Sequence, residues 1–290
     1  MKKRTKHNVL PLPRLLLLVM TLSACAQPAL PPDVPPPDAP PNTAPPAPSP
    51  PDAPPVETPT PTPEPEPNAG WTPLLGTTLG GWSPRLTHKG DPNGVFKLEG
   101  GVLRILDVPQ SARERGYLVT DDTYRHYHLR FEYRWGEKRF SESKRGGGLL
   151  YHAAQPDELW PRSLEFQLQE GDTGDLWLIG RLTAETTVSS TTAETPQYRK
   201  GGAPYTTKPR SYAQLSKSAT YEKPGWNQVE LIVTADEILH IVNGQINNRV
   251  TNPRQPTKSG KTAPLGEGRI AFQAQNAEML VRNVEIKVLE

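Results

Sequence analysis

Half of the residues from Pro28 to Pro67 are proline, 20 in 40 positions. Proline has a fixed φ and no backbone N–H, so this stretch cannot form a helix or the middle of a sheet. The chain of 290 residues therefore cannot be a single globule. Only 13 prolines follow Trp71, so the remainder is of ordinary composition. The stretch has no apolar periodicity and nothing to bury. Residues 25–69 are expected to be a disordered, proline-rich tether of polyproline II character. At about 3.1 Å per residue it would reach roughly 130 Å if straight. Its acids (Asp33, Asp38, Asp52, Glu57, Glu64 and Glu66) have no basic counterpart within it, which favours extension. With no basic residue flanking the PxxP repeats, a spacer fits better than a ligand for proline-binding domains.

Residues 1–24 read as an export signal. Lys2, Lys3, Arg4, Lys6 and Arg14 precede the apolar run Leu15–Met20, which is too short to span a bilayer. The segment ends Leu22-Ser23-Ala24-Cys25, which resembles the bacterial lipoprotein box, whose cysteine becomes the lipidated first residue of the mature chain. Cys25 is the only cysteine, which excludes an internal disulfide and a zinc–thiolate cluster. Lipidation there would hold the protein at the cell envelope without a transmembrane helix. Ala26, a residue other than aspartate after the cysteine, points by analogy to the outer membrane.

Residues 70–290 are the size of one all-β sandwich domain. They hold 28 basic and 25 acidic residues, too balanced for a nucleic-acid surface. Alternation is clearest from Tyr127 to Trp135, where Tyr127, Leu129, Phe131, Tyr133 and Trp135 share one face. Leu164–Gln169 alternates in the same way. Trp226–Thr234 and Ile238–Val242 read as a hairpin, with an Asn243-Gly244 turn nearby. Gly268–Gln275 and Met279–Val288 are the last strands. Thr183–Ser218 is polar and rich in Thr, Ser, Pro and Gly, and reads as extended loops.

Familiar site motifs are missing: there is no Walker loop, HExxH or Gly-x-Ser-x-Gly, and Gly146-Gly147-Gly148 alone says little about phosphate. His126 and His128 lie close together but lack a third ligand. In Leu164–Gln169, burial of Leu164, Phe166 and Leu168 would put Glu165, Gln167 and Gln169 on the opposite face, about 7 Å apart. Planar carboxylate and amide groups in a row suit carbohydrate hydroxyls. Gln273 and Gln275 form a similar row. Trp82, Trp135, Trp160 and Trp177 could supply flat surfaces for sugar rings. Glu165 to Glu170 also resembles the catalytic strand of laminarinase-type glucanases, but its central acid is Gln167. Glu165 and Glu170 would share a face only across a bulge.

The order of motifs over the whole domain resembles the 3-keto-disaccharide hydrolase family. It begins with Trp71-Thr72-Pro73-Leu74, Leu79–Trp82 and Phe96–Leu103, then Tyr127–Tyr133, Gly146–Tyr151 and Leu164–Leu168. Gly174–Trp177, Gly225-Trp226-Asn227, Asn243-Gly244, Gly268–Gln273 and Val281–Ile286 follow. The resemblance implies an all-β, concanavalin A-like jelly-roll sandwich and hydrolysis of glycosides oxidised at C3. A C3 ketone acidifies the C2 proton, so a carboxylate can remove it and the C1 group can leave before water adds. The resemblance makes Glu165 the base or a metal ligand. Gln167, Gln273, Gln275, Trp82 and Trp177 would hold substrate. Asp172 and Asp175 are the candidate ligands of a divalent metal ion. Arg282 and Asn283 match the closing motif in a structural role. Where the family has Gln-x-His-Gly, this chain has Gln273-Ala274-Gln275-Asn276, so a titrating group is replaced by an amide. The family's Asn-Ser-Gly is here Gly146-Gly147-Gly148. Two other readings remain open: a carbohydrate-binding module that keeps the groove without the chemistry, and an envelope protein using the domain as a protein-contact surface.

Overall fold

In the computed structural model, residues 69–87, 92–106, 115–154 and 160–290 are described. The signal, Cys25 and the tether up to residue 68 lie outside them. The first strands are β1 (Thr72–Pro73) and β2 (Trp82–Leu86), followed by a helical turn α1 (Pro92–Val95), β3 (Phe96–Glu99), β4 (Val102–Ile105) and β5 (Gly116–Thr120). Next come β6 (Tyr127–Arg139), β7 (Gly146–Ala153), β8 (Ser163–Gln169), β9 (Leu176–Ile179), β10 (Thr183–Val188), β11 (Ala203–Thr206) and β12 (Tyr212–Leu215). The chain closes with β13 (Asn227–Val233), β14 (Glu237–Val242), β15 (Gln245–Pro256), β16 (Thr262–Pro264), β17 (Arg269–Ala274) and β18 (Ala277–Val288).

These strands make two antiparallel sheets packed as a jelly-roll sandwich. The larger runs β11, β10, β15, β14, β13, β6, β18, β4, β3, with β1 on β18 and β16 on β15. The smaller runs β12, β9, β8, β7, β17, β5, β2. The late strands β17 and β18 insert between early ones, β17 between β7 and β5 and β18 between β6 and β4. The centre of each sheet is thus closed only once the C-terminus arrives. The core between the sheets takes Tyr127, Leu129, Phe131 and Tyr133 from β6 and Leu164, Phe166 and Leu168 from β8, all at most 1% exposed. This is the face that alternation assigns.

One expectation changes. Thr183–Ser218 contains β10, β11 and β12 rather than loops alone. β11 and β12 are edge strands and β10 lies next to the edge, where threonine-rich, polar sequence is tolerated because much of it meets solvent. Asn243-Gly244, with φ of 49° and 76°, turns β14 into β15, so the β13–β14 hairpin is followed by a second one.

The two outer faces differ. That of the larger sheet is half-exposed and crossed by ion pairs: His128–Glu230 at 2.8 Å, Arg130–Glu285 at 2.7 Å and Arg282–Glu132 at 2.5 Å. Arg130 lies over Trp71 and Arg282 over Trp226, each 4.0 Å from the ring centre. Asn283 also donates to Glu132. His128, Arg282 and Asn283 are thereby accounted for as surface cross-links. The outer face of the smaller sheet is instead buried at its centre: every residue of β7 and all but the last of β8 are buried.

Candidate functional site

The buried outer face is built by register. Glu165 on β8 stands opposite Leu150 on β7 and Trp177 on β9, and Trp177 stands opposite Gln214 on β12. Leu150 leads to Ala271 on β17 and on to Val119 on β5. One step along the strands, Gln167 faces Gly148, and Gln273 faces Tyr117. Tyr117, Val119, Leu150, Ile179 and Ala271 form an apolar cluster separate from the main core, with Trp177 packed against it. The face is thus half apolar and half amide, with Glu165 on the seam.

The carboxyl of Glu165 leans over Gly148 toward Gln273. A side-chain carbon on Gly148 would overlap Glu165 Oε1 and lie 2.5 Å from Gln273 Oε1. The missing side chain is therefore the space in which the two groups meet. Glu165 is 6% exposed and Gln273 1% exposed. Glu165 Oε1 and Gln273 Nε2 are buried without a hydrogen-bond partner. Gln275 Nε2 donates to Gln273 Oε1 at 3.0 Å. Burial pushes the Glu165 carboxyl up to about 8, against a smaller downward pull from the Gln273 amide. A group so poised exchanges a proton near neutral pH and is a candidate general base or acid. Trp177, Gln214, Gln169 and Gln275, all half-exposed, mark where the face opens.

The structure brings Glu165, Gln167, Gln273, Gln275 and Trp177 onto this face. Trp82 is a correction. It lies opposite Thr120, on the inward parity of β5, and packs in the core at 5.9 Å from Phe272 with its indole N–H on Leu74 O. It is unavailable to a sugar. Trp135 likewise faces inward, its Nε1 donating to Glu222 Oε1 at 2.8 Å.

Asp172 and Asp175 sit in a turn beyond β8 and are already partnered. Asp172 accepts from Lys144 at 2.6 Å, Gln169 at 2.8 Å and Lys217 at 3.2 Å. Burial pushes its carboxyl up, but these bonds outweigh it and hold it below its usual range. Asp175 accepts from Gln214 Nε2 at 2.7 Å and from the Lys217 backbone at 2.9 Å. Among the described residues, no three His, Cys, Asp or Glu side chains gather where a metal ion could bind. Two carboxylates neutralised by lysine, with Glu165 otherwise among amides, do not fit a divalent ion. Glu170 ends up off the face in an ion pair with Arg145 at 2.9 Å, so no second carboxylate joins Glu165 in the glucanase manner.

Three contributors were not singled out from sequence as parts of a site: Gly148, Tyr117 and the apolar floor. The available signal was the unbroken apolar runs Tyr117-Leu118-Val119 and Leu149-Leu150-Tyr151, which mark strands covered on both faces.

Residues 70–287 match the family model of the 3-keto-alpha-glucoside-1,2-lyase-like domain. No curated protein matches the chain. Among solved structures, a Parabacteroides distasonis protein provisionally named a glycosyl hydrolase is 18% identical, with a TM-score of 0.47 over 76% of this chain and 99% of its own. A Bacillus licheniformis β-glucanase is 10% identical, with a TM-score of 0.43 over 76% of this chain and 97% of its own. A Bacillus subtilis carbohydrate-binding module is 7% identical, with a TM-score of 0.43 over 71% and 95%.

Proposed function

The chain belongs to the 3-keto-alpha-glucoside-1,2-lyase-like domain family, and from that premise we propose that it cleaves glycosides whose sugar ring carries a ketone at C3, with Glu165 as the base. The observation that carries this reading is the Glu165 carboxyl, buried on an outer sheet face with Oε1 unpartnered and its pKa raised to about 8. Ionised, Glu165 takes the proton from C2, and the C–H electron pair moves into the C2–C3 bond as the ketone becomes an enolate. The enolate collapses to re-form the ketone, the C1–C2 double bond forms, and the C1–O bond breaks. The leaving oxygen takes the proton back from Glu165. Water then adds across C1–C2, with oxygen to C1, and completes hydrolysis. A base with a pKa near 8 is better matched to an acidified C–H than an ordinary carboxylate. Gln167 holds ring hydroxyls, and Trp177 covers an apolar ring face. No step passes through a metal ion, because the donor set does not fit one.

The test is incubation of the protein with a 3-keto glycoside and with its unoxidised parent, following release of the C1 group. Release from the ketone alone is expected. Because the base must be ionised, kcat/KM should rise with pH to a plateau, with its midpoint near 8. Binding without release would mark a binding module instead, and neither binding nor release would remove the carbohydrate reading. A midpoint near 4.5 would remove Glu165 from the role of base.

The same reading places the domain at the cell envelope on a lipid carried by Cys25. Cys25→Ser is expected to move the protein from the membrane to the soluble fraction, and to abolish incorporation of labelled fatty acid. A Ser variant that still sediments with membranes would exclude the anchor.

A further inference from the structure

We propose that the side-chain amide of Gln273 is the group that polarises the substrate's ketone, in place of a metal ion, and that Gln275 is the residue that keeps this amide in the productive orientation. This rests on the reading above, in which Glu165 removes a proton next to a carbonyl.

Such chemistry needs two complementary groups in one sealed space: an acceptor for the proton and a donor for the oxygen on which charge develops. Glu165 Oε1 and Gln273 Nε2 are that pair. Each is buried and each lacks a partner. Leaving a buried donor or acceptor unpaired costs about 1–3 kcal/mol, so these two unpartnered atoms mark a place completed by a ligand. A cation would meet an N–H, whereas a carbonyl oxygen would meet a donor. Asp172 and Asp175, in the turn beyond β8, are held by Lys144 and Lys217.

The orientation of the amide is set by its neighbour. Gln275 Nε2 donates to Gln273 Oε1 at 3.0 Å. Turning the Gln273 amide over would set Nε2 against Nε2, donor against donor, and would present an oxygen to the ketone. The bond to Gln275 therefore leaves Gln273 Nε2 as the free donor. Gly148 contributes by having no side chain where Glu165 and Gln273 approach each other.

A 3-keto sugar lacking the C1 substituent separates the steps, because it can lose its C2 proton but has nothing to eliminate. The measurement is exchange of that proton for deuterium in heavy water, followed by NMR with the full chain, alongside cleavage of the intact 3-keto glycoside. Wild type should exchange, equally with and without a chelator. Gln273→Leu should slow exchange about 10²–10³-fold, the loss typical of one oxyanion donor. Gln273→Met, which keeps the length of the side chain and removes the donor, serves if the leucine variant does not fold. Gln275→Leu should lower the exchange rate roughly tenfold with KM unchanged, a loss within the range of that donor's own effect. Gln273→Leu/Gln275→Leu should be no slower than Gln273→Leu alone, because Gln275 acts only through Gln273. Loss of wild-type exchange on chelation, full exchange in both folded Gln273 variants, or additive effects in the double variant would each overturn the proposal. If Glu165→Gln abolishes exchange while the Gln273 variants keep it, the proposal fails and the base assignment stands. If wild type neither exchanges nor cleaves, both fail together.

Discussion

Replacing Glu165 with glutamine is expected to reduce cleavage of a 3-keto glycoside by about 10²–10⁴-fold, the usual contribution of a positioned base. Glutamine has the same shape and can sit over Gly148, so the fold should persist. A second, independent readout is stability against pH. The folded carboxyl titrates at about 8 and the unfolded one at 4.5. A group whose pKa is raised on folding stabilises the protein most below its unfolded value, and that stabilisation is lost as pH rises toward the folded value. At about 1.36 kcal/mol per pH unit between 4.5 and 8, the full loss is on the order of 5 kcal/mol. His152 and His240, which burial lowers to about 4 and about 3, work the other way and gain stability up to 6.5. The two effects oppose each other between 4.5 and 6.5, so the clean window is pH 6.5 to 8. There the wild type should lose roughly 2 kcal/mol, while Glu165→Gln should hold steady in denaturant titrations. Parallel curves would mean that Glu165 is not buried as described.

Gly148→Ala is expected to be nearly as damaging to activity while leaving both chemical groups in place. The new methyl would occupy the space shared by Glu165 Oε1 and Gln273 Oε1. One of the two side chains must then swing away, and a displacement of about 1 Å at a reacting group can cost about 10²-fold in rate. Overpacking should also destabilise the domain by about 1–3 kcal/mol. Gly146→Ala is the control. It lies on the same strand face, but its nearest neighbours would be at 3.2 Å or more, so it should be far milder. Equal kinetics for the two variants would show that the bare backbone of Gly148 has no part in placing Glu165.

Much of this was legible from the order of residues. The alternation in Tyr127–Trp135 and Leu164–Gln169 names the inward face of β6 and β8 correctly, and Glu165, Gln167, Gln273 and Gln275 do share the outer face of one sheet. Trp82 was misassigned because a strand of five residues with a proline in it has no readable parity. Only its pairing with Thr120 shows that the indole turns inward. Asp172 and Asp175 looked like ligands because lysines 28 and 45 residues from Asp172 in the chain cannot be seen as its partners until the fold closes.

Local rules act over a few residues, and what they determine here stands on its own: strands whose period of two separates core from surface. Glu165 reads locally as an ordinary solvent-facing residue of such a strand. Its burial, its raised pKa and its meeting with Gln273 over Gly148 depend on β7 pairing beside β8 and on β17, from a distant part of the chain, arriving on the far side of β7. A pKa records the sum of surroundings, and only the tertiary structure supplies those.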